Sequence, residues 1–237
     1  MSNPRPSDPS VLASASLQAA APPSLIVYTD YKSPYAFVAD AAIRAIALQY
    51  PIHLDWRPYT LRIEEFMGSV EARSVHNWRK VRYGYMDARR MANRQGLIMK
   101  GPRRIYNAEL SSTGMLFAQN HGFFEAYHAS TFERFWRHDL DLDSLEEMSR
   151  HIDALGASGA DFERFAQGDG AVRQQRLTDE AEALGVFGVP TMIFDDQLYW
   201  GGDRLAMVRE AIEQTLSASA DALRRLHGRA TRGDTQS

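Results

Sequence analysis

The chain has 237 residues, 44% of them hydrophobic and 24% charged, and a net charge of -3. That is the composition of an ordinary globular protein with material for a sizeable core and no global pull toward nucleic acid or membrane. It contains no cysteine, which excludes a disulfide framework, a protein thiol nucleophile, a dithiol redox pair and any cysteine metal site. Any thiol chemistry must come from a ligand.

Residues 1–24 are rich in Ser, Pro and Ala and read as a disordered leader. They lack the charged start and apolar run of a secretory signal and the arginines of a transit peptide. No apolar run reaches the ~20 residues of a membrane span, so a cytoplasmic protein is expected.

Residues 25–29, LIVYT, are a short apolar, β-branched run and read as a buried strand. After Ser33-Pro34, the stretch YAFVADAAIRAIALQY has the apolar recurrence of a helix that should end at Tyr50-Pro51. IHLDW, 52–56, alternates as a second strand and is closed by Arg57-Pro58. Strand, helix and strand so close together make a βαβ unit with parallel strands.

From Glu64 to about Leu184 the pattern is helical, with breaks at Gly96, Gly101-Pro102, Gly122, 139–143 and 156–159. Phe123, Tyr127, Phe132, Phe135 and Trp136 fall at helical spacings and read as core. Strand pattern returns at TMIFD and QLYW, joined through Asp195-Asp196 as a hairpin. Asp203 can then cap a last helix, and the chain from about His227 should fray. The order is βαβ, a helical block over 64–184, then ββα. A helical subdomain folded over a sheet leaves a cleft as the default ligand site.

Ser33-Pro34 is ordinary helix-start chemistry, Ser as cap and Pro at the first position. A hydroxyl beside free helix N–H groups is also well placed to hold an anion, a thiolate included. Val189-Pro190 opens the third strand, where proline needs no special reason. If the sheet halves join, the two features lie side by side.

DYKSPYAF at 30–37, RPY at 57–59 and GVFGVPTMIFDDQLYWGGDRL at 185–205 resemble the 2-hydroxychromene-2-carboxylate isomerases, which group with kappa-class glutathione transferases in the DsbA-like branch of the thioredoxin fold. The resemblance implies an α/β thioredoxin-like domain, 25–63 and 185–226, interrupted by an all-helical insertion, 64–184, with glutathione bound in the cleft. It implies that Ser33 hydrogen-bonds the glutathione sulfur. Val189, before a cis Pro190, would pair its backbone with the tripeptide, with Asp203 and Arg204 near the γ-glutamyl end and Asn107 lining the site. Tyr31, Tyr35 and Trp200 are candidates for the substrate wall by position. Lys32 and Gly202 depart from the family pattern. The implied activity is a glutathione-dependent isomerisation of an aromatic-derived carboxylate, with a conjugating transferase and a catalytically silent binding module as alternatives.

From Val70 to Arg104 ten basic residues face two acidic ones. This segment reads either as a solvated helical face or as a rim that attracts an anionic ligand. No recognition motif for nucleic acid accompanies it. The seven histidines show no ligand pairing at close helical spacing, and a metal is not expected. A small molecule is the expected partner, and whether the chain forms a homodimer is left open.

Overall fold

The computed structural model describes residues 21–64 and 73–233. Most of the expected leader, the helical pattern at 65–72 and the last four residues therefore lie outside the described residues. Among those described, the order is β1 (Ser24–Thr29), α1 (Pro34–Gln49), β2 (His53–Pro58), a run of six helices, β3 (Thr191–Phe194), β4 (Gln197–Trp200) and a last helix. The six are α2 (Val75–Arg94), α3 (Glu109–Asn120), α4 (Phe124–Arg137), α5 (Leu145–Ala154), α6 (Gly159–Gln167) and α7 (Asp169–Ala183), and the last helix is α8 (Leu205–Gly233). No helix among the described residues is long and apolar enough to cross a membrane.

The four strands form one sheet in the order β2-β1-β3-β4. β1 and β2 run parallel with Val27 opposite Trp56, and β3 is antiparallel to β1 with Tyr28 opposite Thr191. The two halves of the chain thus meet at β1, and the helical block leaves and re-enters the sheet at the ends of β2 and β3. β3 and β4 are a two-residue hairpin, with Asp195 and Asp196 at φ 50° and 59°. Both central residues in the left-handed region define the tight turn whose twist suits flanking strands, and Asp tolerates it.

β1 is buried on both faces, which is why it reads as an unbroken apolar run. Leu25 and Val27 join Trp56, Met192 and Phe194 in a cluster covered by Ile43 and Ile46 of α1 and by Val208 and Ile212 of α8. Ile26 and Tyr28 point the other way, into a larger core built by the helical block around Phe117, Phe132 and Trp136. The residues at helical spacing in α4 pack as expected: Tyr127, Phe132, Phe135 and Trp136 are buried.

Three expectations need correction. Gly168 separates α6 from α7, a break masked by the apolar recurrence on either side. Asp203 caps nothing; it sits inside a 3-10 turn, Gly202–Arg204, whose polar ends are met by backbone, and its carboxylate pairs with Arg204. The final helix runs beyond His227 to Gly233, in keeping with its content of Ala, Leu and Arg, which are strong helix formers.

Candidate active site

The loop from β1 to α1 is fixed by its own polar groups. Ser33 is the cap of α1: its Oγ accepts from the Ala36 N–H at 3.2 Å, and Pro34 occupies the first helical turn. Its N–H donates to the Asp30 carbonyl at 3.0 Å, which folds Asp30 back beneath it. Asp30 is buried, and its carboxylate takes the Lys32 N–H at 3.1 Å and the Leu61 N–H at 2.8 Å. Burial pushes this carboxyl above the ordinary range, against the pull of the Lys32 ammonium 3.4 Å away. Lys32 is itself only 7% exposed, and its Nζ donates to the Asn107 carbonyl at 2.6 Å. A buried ion pair satisfied by backbone partners holds one geometry, which suits a residue that must be aimed.

The other wall comes from the chain before β3. The Val189-Pro190 bond is cis, and the Ser33 hydroxyl donates to the Val189 carbonyl at 3.3 Å, so the cap serine and the pre-strand pair meet across 156 positions of sequence. The Pro190 carbonyl accepts from the Gly201 N–H at 2.9 Å, and the Gly201 carbonyl from the Arg204 N–H at 3.1 Å. This ties the exposed Asp203–Arg204 pair to the same segment. Gly188 has no room for a side chain, since a Cβ there would lie 2.7 Å from Nε1 of Trp200. The indole is held against Phe187, centroids 4.8 Å apart, and remains 45% exposed.

Ser33, Val189 and Trp200 line a cleft of about 1590 Å3, roofed by α2 and by the loop from Gly101 to Tyr106. Tyr35 lines it as well, its hydroxyl donating to Asp87 at 3.3 Å. Burial, and then the Asp87 carboxylate, raise the Tyr35 pKa and keep the phenol protonated. The basic stretch seen in the sequence forms much of this wall: Arg79, Lys80, Arg82, Arg90 and Arg103 all line the cleft, and among the described residues no acidic side chain does. The same side chains are also exposed to solvent.

The remaining predicted residues lie elsewhere. Tyr31 does not line the cleft; it is 1% exposed, and its hydroxyl meets Nδ1 of the buried His128 at 3.0 Å. Adjacency to Ser33 alone suggests a place at the site, but the side chain lies in the aromatic core, edge-on to Phe132. Nε2 of His128 is 2.9 Å from Asp40, which also takes the Arg44 guanidinium. Burial pushes the His128 pKa down. Burial alone would raise the Asp40 carboxyl, but the His128 hydrogen bond and Arg44 hold it below its ordinary value. The ring is thus neutral, with Tyr31 donating to Nδ1 and Nε2–H donating to the carboxylate. Asn107 touches the site through its backbone carbonyl on Lys32, while its N–H donates to Asp143 at 3.1 Å.

Sequence reasoning undervalued Asp30 and Lys32. Their signal was two opposite charges within the strand-to-helix turn, directly before the cap serine. His128 carried a weaker one, a histidine on the apolar face of α4.

A sheet joined from βαβ and ββα halves, a helical block between them and a cis-proline beside the first helix define a class. The family model for the DSBA-like thioredoxin domain matches residues 24–213, and the chain belongs to that family. Within it, the chain is 28% identical over 198 residues to a 2-hydroxychromene-2-carboxylate isomerase of Pseudomonas putida, covering 82% of this chain and 96% of that protein. It is 29% identical over 189 residues to the enzyme of the same name from Pseudomonas sp. (strain C18), covering 78% and 88%. The solved structure of a 2-hydroxychromene-2-carboxylate isomerase superposes with a TM-score of 0.70 at 27% identity, covering 84% of this chain and 98% of that one.

Proposed function

We propose that the protein is a glutathione-dependent isomerase acting on a conjugated, aromatic-derived carboxylate. The observation that carries this reading is the Ser33 hydroxyl at the N-terminus of α1, hydrogen-bonded to the Val189 carbonyl where both line the cleft, in a chain with no thiol of its own. The named isomerase relatives at 28% and 29% identity support the reaction class.

The residues fit the tripeptide. Ser33 Oγ already accepts from Ala36, so its proton is free to turn from a long bond to Val189 toward an incoming sulfur. A free thiol has a pKa near 8.5, and lowering it by about two units requires roughly 2.7 kcal/mol. A hydroxyl bond to a charged acceptor contributes roughly 1.5–3 kcal/mol, and a helix N-terminus up to ~2 in a partly buried site. Together they suffice. When bound, glutathione supplies a nucleophilic sulfur that adds reversibly to a conjugated carbon, frees a double bond to rotate and leaves unchanged.

Ser33 holds that sulfur in its charged form. Val189 offers its backbone to an extended peptide just before β3 begins. Asp203 and Arg204, tied to Pro190 through Gly201, present opposite charges to the γ-glutamyl amine and carboxylate, and Asn107 lies exposed beside Lys32. Tyr35 and Trp200 form flat walls for the aromatic body. The cleft supports cofactor and substrate together, since its volume exceeds the ~300–1,000 Å3 usual for one small ligand.

The test is a progress curve under limiting thiol. With a benzylidene-type pyruvate and glutathione far below substrate concentration, conversion should run to completion with total free thiol constant. Arrest after one equivalent, with thiol lost into a conjugate, would instead identify a transferase.

A further inference from the structure

The α2 side of the cleft is strongly cationic. Arg79, Lys80, Arg82, Arg90 and Arg103 line the cavity, and none forms an ion pair with any described carboxylate. Elsewhere exposed arginines are routinely paired: Arg137 with Glu133, Arg150 with Glu146, Arg176 with Glu180. Arg104, at the edge of the same wall, is clamped by Asp141 and Asp143. α2 buries only Ala88 and Ala92; Arg89 is tied to the Met99 carbonyl, whereas Arg79, Lys80, Arg82 and Arg90 are exposed. The net charge of the whole chain is -3, and a cationic wall in such a molecule is a local device.

The same cavity is lined by flat aromatic side chains, Trp78 of α2, Tyr35 of α1 and Trp200 of β4. At the inner end, Lys32 lines the cavity beside Ser33, its charge shared with Asp30 and the Asn107 carbonyl. The segment proposed for glutathione, Val189 and the Asp203–Arg204 turn, includes no residue of α2.

We infer that α2 and Arg103 form an anion subsite for the substrate, and that the substrate is an aromatic compound bearing at least two separated anionic groups, carboxylate or sulfonate. One anion lies near Lys32 and Ser33, where the conjugated carbon must sit, and the other reaches the arginines of α2. Selecting a dianion rests on the isomerase reading for its catalytic meaning, but the subsite exists as a binding property without it.

Calorimetry without glutathione, using benzylidenepyruvate and its 4-carboxy derivative as probes, tests the subsite directly. The wild type should bind the dicarboxylate about tenfold more tightly, the sum of several exposed charge contacts. In Arg79→Gln/Arg82→Gln/Arg90→Gln that gap should close while glutathione affinity stays within about twofold. Arg150→Gln/Arg176→Gln, with the same charge removed away from the cleft, should keep the gap. Equal affinity for both probes in the wild type, or a gap that survives the triple substitution, would overturn the inference. So would a parallel loss of glutathione affinity, which would assign the cations to the cofactor. If the wild type failed to bind glutathione but preferred the dicarboxylate, the isomerase reading would fall and the subsite would stand.

Discussion

Ser33 carries two roles that a single substitution separates. As cap it contributes roughly 0.5–2 kcal/mol to α1, and as donor it faces the Val189 carbonyl. Ser33→Ala should therefore remain folded in a chemical denaturation, with its unfolding free energy lowered by that amount, while isomerisation falls far more. Tyr31 behaves in the opposite way. Tyr31→Phe leaves Nδ1 of the buried His128 without its donor, which costs about 1–3 kcal/mol. Denaturation should show that loss, and glutathione affinity should not change, since Tyr31 does not line the cleft; a weakened affinity with intact stability would return it to the site. His151 supplies the pH dependence: burial first, and Arg134 next, push its pKa down to about 4. In the unfolded chain it titrates near ~6.5. Between these values the unfolded state binds the proton and the folded state does not, so stability must fall as pH drops from about 6.5 to about 4. In His151→Gln, melting temperatures across that window should slope less steeply.

At the scale of elements, the sequence was informative wherever local chemistry decides the outcome. LIVYT, the Ser-Pro cap, and TMIF-DD-QLYW each state their own conformation, and β1, α1 and the hairpin follow from them. What joins distant elements was not legible. The Tyr31–His128 bond spans 97 positions and the Lys32–Asn107 bond 75, and no periodicity encodes such pairs. Adjacency to Ser33 was a poor guide for the same reason, since alternate residues of a turning segment face opposite ways. The contact of α3 with α4 makes the point testable. A Cβ on Gly114 would overlap the Tyr127 hydroxyl and stand 2.7 Å from its ring carbon. Tyr127 is buried, with its hydroxyl donating to the Ser111 carbonyl, so it cannot retreat. Ala is favoured over Gly in a helix by about 0.8–1.0 kcal/mol, but overpacking of this kind costs roughly 1–3 kcal/mol. Gly114→Ala should destabilise in urea; a stabilised variant would mean that α3 and α4 slide apart freely.

At the scale of the molecule, one half of the sheet brings a helix N-terminus with a serine, and the other brings the Val189 backbone beside a cis-proline. The helical block closes the space between them with a cationic wall. With no cysteine in the chain, this arrangement cannot exchange disulfides, and the proposed isomerisation depends on a thiol carried in by a ligand. The central claim is that Ser33 and the start of α1 hold that thiol as a thiolate. The most direct measurement is the ultraviolet absorbance of the thiolate of bound glutathione, followed as a pH titration in the wild type and in Ser33→Ala. The bound thiol should titrate about two units below the free value of ~8.5, and the substitution should move it back upward. A wild-type midpoint at the free value, or one that Ser33→Ala leaves in place, would contradict the account.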